Sequence, residues 1–225
     1  GFIAKAAELK DKVTDREKLY ISAQEAFLAE EPKDIKKRRQ KLIEDIENII
    51  HEYPKDIEAK AILVVRLWQF SHRGIPIGSR ESIDALMQQI FNNNPLHPAH
   101  HFRIHLWDGK KPVRALSSAA VLHQTAPAIA HMWHMSGHIY DKLKRYSESA
   151  YHQEASARMD HSKQSEFQVL PDRIHNYAHN NEWLVRNWNH IGRVNSAITM
   201  SKGLIDNHQP HTLNHYGKGY SSSAF

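Results

Sequence analysis

The chain has 225 residues, a formal net charge of +5 and 40% hydrophobic residues, enough for one large domain or two small ones with a buried core. It has no cysteine, which excludes disulfides, thiolate zinc sites and a cysteine nucleophile. Its longest apolar run, "AILVVRLW" at 61–68, is interrupted by Arg66 and is far shorter than the roughly 18 residues of a membrane span. The one dense basic run, "KDIKKRRQK" at 33–41, lies among acidic residues. It reads as a solvated helix face, so no nucleic-acid partner is expected. No signal peptide is visible. The chain opens at Gly1 rather than Met and is expected to be a piece of a longer protein. The lack of cysteine fits an oxidising compartment.

In chain order the segments read as helices. Strand-like alternation is absent, and Gly and Pro fall between the apolar-periodic segments. Thr14 and Asp15 can cap a helix through "REKLYISAQEAFLAE". "KKRRQKLIEDIENIIHEY" follows, with Leu42, Ile43, Ile46, Ile49 and Ile50 on one face. Four two-helix units come next, each opened by a proline: Pro54, Pro95, Pro127 and Pro171. Their spacing is roughly the 34 residues of a tetratricopeptide (TPR) hairpin, with an insertion in the third unit. "GRVNSA" puts Gly192 at a turn and Ala197 at the close-packing position of the next helix. "LKRYSESA" has Lys144 and Ser149 in those places. The expected fold class is all-α, a TPR-like helical-hairpin repeat solenoid. Residues 1–56 form N-terminal helices, 57–207 the repeats with a His-rich concave face, and 208–225 an irregular tail.

The 18 histidines are about three times the number average usage predicts. His97, His100, His101, His105, His131, His134, His138, His175 and His179 all fall on the first helices of units, and those helices line the concave face of such a solenoid. His123 and His152 are in second helices. Residues four apart on a helix lie about 5 to 6 Å apart at Cβ. The pairs His101–His105, His134–His138 and His175–His179 can therefore each present two imidazoles to one ion. Imidazole suits zinc, copper, nickel or iron, with zinc and copper leading here. Asp108 and Glu182 each follow such a pair by three residues and can add a carboxylate. The alternative is a polar groove whose histidines bond one another, the backbone or water. His97 fits a helix start beside Pro98, and the tail histidines His208, His211 and His215 are weak ligands. Trp68, Trp107, Trp133, Trp183 and Trp188 are all on first helices, and a core role is favoured for them over ligand stacking.

The stretches "HPAHHFRIH", "APAIAHMWHMSGHIYDKLKRYSESA" and "YAHNNEWL…HIGRVNSAI" resemble a histidine-rich subgroup of bacterial TPR proteins. That subgroup carries a His-Pro-Gly motif leading to His-x-x-x-His, a His-Met-Pro-Ser-His-Ile-Tyr motif and a His-Asn motif. His101 and His105 match the first. His134, Met135, His138, Ile139 and Tyr140 match the second, with His131 just before it, and His179 and Asn180 match the third. Here no glycine follows Pro98, and Ser136–Gly137 replaces Pro-Ser. The resemblance implies a module, in a periplasmic or extracytoplasmic setting, that works with a protein partner or fused domains.

The reading drawn from these residues is a TPR-like module that binds zinc or copper. Its candidate ligands are His101, His105, His131, His134, His138, His175 and His179, and no nucleotide cofactor is expected. One alternative is an interaction scaffold that takes a peptide or partner protein in a polar, His-lined groove. The other is a metal-dependent enzyme. Glu182 is the nearest candidate base for that reading, and no serine or phosphate-loop motif supports hydrolase or nucleotide chemistry.

Overall fold

The computed structural model describes residues 1–29 and 33–206, without the side chains of Asp172, His175 and Asp206. The expected tail, with His208, His211 and His215, lies outside the described residues. Eleven α-helices and no strand occur among the described residues. They are α1 (Phe2–Glu8), α2 (Asp15–Leu28), α3 (Ile35–Glu52), α4 (Ile57–Ser71), α5 (Arg80–Asn93), α6 (His100–Trp107), α7 (Leu116–Thr125), α8 (Ala130–Lys142), α9 (Tyr146–Phe167), α10 (His175–His190) and α11 (Val194–Asp206). Of the expected hairpins, α4/α5, α8/α9 and α10/α11 pack as pairs, and the second expected unit falls on α6 and α7. The expected insertion in the third unit is the lengthening of α9 to 22 residues. No described helix is long and apolar enough to cross a membrane.

The chain divides into two compact units, Gly1–Phe102 and Arg103–Phe225. In the first, each of α1 to α5 packs on the next. Thr14 caps α2 through a reciprocal capping box with Glu17, worth about 1 kcal/mol. Leu42, Ile46 and Ile49 of α3 are buried. Leu42 and Ile46 form a core with Ala23, Leu63 and Phe70, against which Ile43 and Ile50 pack. The five apolar positions read from the α3 sequence thus all face inward.

In the second unit α7 to α11 also pack in succession, and α8 additionally touches α10. That contact between alternate helices is what a stack of hairpins produces. The core here is Ala150, Leu184, Val185, Trp188 and Ala197. Ser149 replaces the small apolar residue at the matching position of α9. It is fully buried, and its hydroxyl donates to the Gly137 carbonyl of α8 at 2.9 Å.

Two turns of this unit are built alike. The Gly192 backbone has φ +79° and Lys144 has φ +60°. In each turn the next amide reaches back to a carbonyl five residues earlier, Arg193 N to Trp188 O and Arg145 N to Tyr140 O, both 2.8 Å. This is the helix-ending geometry that favours glycine. A side chain there costs roughly 1 to 2 kcal/mol, partly offset by the greater freedom glycine has when unfolded. Lys144→Gly is therefore expected to stabilise the chain by about 0.5 to 1 kcal/mol, read as a rise in Tm of about 1 to 4 °C.

Candidate metal centre

Three imidazoles of the second unit converge. One ring nitrogen from each of His134, His138 and His179 lies within 4.8 Å of the other two. His134 and His138 are one turn apart on α8, and His179 comes from α10, which packs against α8. His134 and His179 have ring centres 4.7 Å apart, and His138 and His179 6.4 Å apart.

The hydrogen bonds around His134 determine its tautomer. Gln153 Nε2 donates to the His134 carbonyl at 3.3 Å, so Gln153 Oε1 is the atom 2.7 Å from His134 Nδ1. A carbonyl oxygen only accepts, so His134 carries its proton on Nδ1 and a lone pair on Nε2. That lone pair faces His138 Nε2 at 2.8 Å. On its other side His138 Nδ1 lies 3.3 Å from Asp108 Oδ2, the partner expected for an Nδ1–H donor. With both Nδ1 atoms anchored, the two Nε2 atoms confront each other, and a proton or a metal ion has to lie between them. Holding the outer ring nitrogen on an amide or carboxylate is how metal-binding histidines are usually oriented. The 2.8 Å gap suits a shared proton. Two nitrogens on one tetrahedral zinc, each about 2.0 to 2.1 Å away, stand about 3.3 Å apart, so a metal needs an opening of about half an ångström.

Burial is the main reason the His134 pKa lies well below its ordinary value, and neighbouring His138 and His179 push it the same way. At neutral pH the ring is therefore neutral, the form a metal requires. Burial also raises Asp108. The hydrogen bond and charge of His138, with smaller contributions from Lys142 and His105, outweigh that and hold its carboxyl below the usual value. Trp183 of α10 stacks on His138 at 4.1 Å and 21°, and Arg186 covers Trp183 at 4.2 Å.

A further pair adjoins this group. His105 and His131 bring ring nitrogens within 4.8 Å of each other, and His131 lies 5.9 Å from His134 between ring centres. Burial lowers the His131 pKa. Its Nδ1 is 3.4 Å from Asn176 Oδ1, and Asn176 Nδ2 donates to Asp160 Oδ2 at 3.0 Å. Asp160 Oδ2 also accepts from Asn180 Nδ2 at 2.9 Å, tying α9 to α10 beside His179. His101, one turn before His105 on α6, falls in the first unit. The His175 side chain lies outside the described ones.

The remaining candidates divide by role. His97 is buried, takes a 3.0 Å hydrogen bond from Ala99 N at Nδ1, and belongs to the helix start, as its place beside Pro98 suggested. His100 stacks on Phe91 at 3.8 Å. Trp188 is core, whereas Trp183 is at the site. Asp108 brings a carboxylate within hydrogen-bond reach of the three-histidine group, and Glu182 is not part of that group. Gln153 carried no sequence signal: it is on a second helix, 19 residues from His134.

Gly137 has a steric role here. A Cβ at this position would stand 2.3 Å from Gln153 Nε2 and 3.0 Å from its Cδ. Gln153 is fully buried, so it can move aside only by leaving His134. Gly137→Ala is expected to cost about 1 to 3 kcal/mol of stability and to lower metal affinity about 10- to 100-fold. Denaturant melts and competition with a chromogenic chelator measure the two effects.

Burial raises the Asp160 pKa to about 6, against the hydrogen bonds from Asn176 and Asn180. Asp160→Asn keeps an oxygen for both donors and removes a buried charge, so it is expected to be near neutral in stability at pH 7.5. Asp160→Ala takes the Asp160 acceptor from the half-buried Asn176 amide and one of two acceptors from the buried Asn180 amide, and should cost about 1 to 2 kcal/mol. Thermal melts of the two variants side by side check this contrast.

With the geometry in place, comparisons with known proteins define the class. No protein-family model and no curated protein matches the chain. Among solved structures it is similar to the MamA RS-1 ArsTM double mutant, with a TM-score of 0.56 and 13% identity over 84% of this chain and 97% of that chain. That protein is TPR-like, and the likeness shows the same fold here, an all-α helical repeat of TPR-like class. For the histidine-rich subgroup there is no family match, so the TPR-like repeat is the part of the motif resemblance that is shown.

Proposed function

We propose that the chain is a TPR-like module that binds one divalent transition metal, zinc or copper, through His134, His138 and His179. The observation that carries this reading is the pair of anchored Nδ1 atoms, on Gln153 and Asp108, which leaves two Nε2 atoms face to face beside a third imidazole. Three neutral imidazoles suit either metal. They leave one coordination position for water or for a group from a partner. His105 and His131 extend the imidazole patch at its edge. Metal analysis of protein purified without chelator or affinity tag tests the reading. One equivalent of zinc or copper, lost in the His134→Ala/His138→Ala variant, is the expected result. Metal-free protein that takes up neither ion at pH 7.5 would refute it.

A second reading, the interaction scaffold, is favoured by a different observation. TPR-like folds commonly serve as protein-interaction modules. On α11, Val194, Ile198 and Ile205 are each about half exposed, and their spacing puts them on one helical face. Replacing Val194 and Ile198 by lysine should weaken binding of such a partner and leave the metal site as it was.

A further inference from the structure

A second pair of histidines lies among other residues of the same unit. His123 of α7 and His152 of α9 have ring centres 5.3 Å apart at an interplanar angle of 61°. Both Nδ1 atoms are buried and neither has a hydrogen-bond partner. His152 is only 5% exposed. Aromatic rings box the pair. Trp133 is 4.4 Å from His123 and 5.9 Å from His152. Tyr140 stacks on His152 at 5.1 Å and 15°, and Tyr151 meets its edge at 5.4 Å.

Buried polar atoms are nearly always paired, and each exception needs a physical reason. Two orphan nitrogens on neighbouring rings are most simply explained by one shared partner. Protonation does not supply it. Burial lowers the pKa of both rings, that of His152 to about 4, so each ring keeps a lone pair at neutral pH. With the ring proton on Nε2, each Nδ1 presents its lone pair, and the partner that two such atoms share is an electron-pair acceptor. The nearest carboxylate along the helix, Glu148, is held at the surface by Arg145, so the pair offers two neutral nitrogens and no negative charge. A dication in that apolar box would lose far more hydration energy than a monocation. A soft monovalent ion with a filled d shell is satisfied by two nitrogens in a line. Metal–nitrogen bonds of about 2 Å in a straight bridge put the ring centres about 6.3 Å apart, so this pair, with centres 5.3 Å apart, has to open by about 1 Å to take the ion. The ring faces around it, Trp133 above all, add cation–π attraction.

We infer that His123 and His152 form a two-coordinate site for a soft monovalent cation, cuprous copper or its silver analogue, separate from the three-histidine group. The inference does not depend on the reading proposed above. Its test therefore uses the full chain carrying His134→Ala/His138→Ala, so that the first group cannot answer for the second. Silver nitrate is titrated in chloride-free buffer, with the histidine nitrogens followed by NMR. One equivalent should move the Nδ1 signals of His123 and His152 together, and zinc sulfate should not. His123→Ala should weaken silver binding at least 100-fold. His152→Phe should do the same, but its burial makes folding less certain, so the half-buried His123 carries the mutational arm. Signals that stay put in excess silver would overturn the inference, as would wild-type silver affinity in His123→Ala or an equal response to zinc. Zinc uptake by the unsubstituted chain is a separate measurement and bears only on the three-histidine group.

Discussion

Replacing His134 and His138 together by alanine is expected to abolish the gain in stability that zinc confers while leaving the helical circular-dichroism signal in place. The metal acts by mass action on the folded state, because its ligands are gathered from α8 and α10 only after folding. At a free zinc concentration of 100 times Kd this gives about 2.7 kcal/mol. For a chain of this size that is a rise in Tm of about 5 to 10 °C. The double variant should show none of it. It should also melt lower than the wild type in chelator, since Gln153 Oε1 loses its donor in a buried place, at a cost of about 1 to 3 kcal/mol. Melting both proteins with zinc, with copper and with chelator separates the two effects. A wild-type Tm that is flat across all three would end the metal reading and leave these histidines as groove polarity.

The second large effect is with pH. Protons and metal compete for the same Nε2 lone pairs, so metal is expected to stay bound at pH 7.5 and to leave between about pH 6 and 5. The metal-free protein should weaken over an overlapping range. A histidine with a folded-state pKa below its unfolded value binds protons more readily when unfolded. Its contribution to stability is fully present above about pH 6.5 and is lost as pH falls through the folded value. His134, His131, His123 and His152 are all lowered. For His152, lowered to about 4, the loss amounts to about 3 kcal/mol at about 1.4 kcal/mol per pKa unit.

Asp160 acts in the opposite sense. Its folded pKa is raised to about 6, so its stabilising contribution is present at low pH and lost as pH rises through that value. It offsets roughly one histidine, and the several lowered histidines prevail. In Asp160→Asn the offset is absent, and acid unfolding should be steeper than in the wild type. Urea melts from pH 7.5 to 4.5 on chelated protein decide this. Stability that rises as pH falls would contradict the sign.

Local pattern carried much of the fold. The α3 face, the Thr14 cap, the prolines before α4, α6, α8 and α10, and the Gly192 turn each depend on neighbours within a few residues, where sequence spacing and spatial spacing are tied by the helix itself. The same holds for His134 and His138, whose four-residue spacing sets them one above the other. The Lys144 turn was half legible: a lysine stands where the repeat has glycine, and only the backbone shows that the left-handed conformation is kept.

What sequence could not decide was which histidines share an environment. His134, His138 and His152 are all buried or nearly so. Two of them face each other with their outer nitrogens anchored, while His152 sits in an aromatic box against His123. Gln153, Asp108 and Asn176 make those distinctions, reaching His134, His138 and His131 from 19, 30 and 45 residues away, and Asp160 holds Asn176 in turn. Helical periodicity orders side chains along one helix. It does not say which face of the next helix they meet, and the packing of α8 between α7, α9 and α10 settled that.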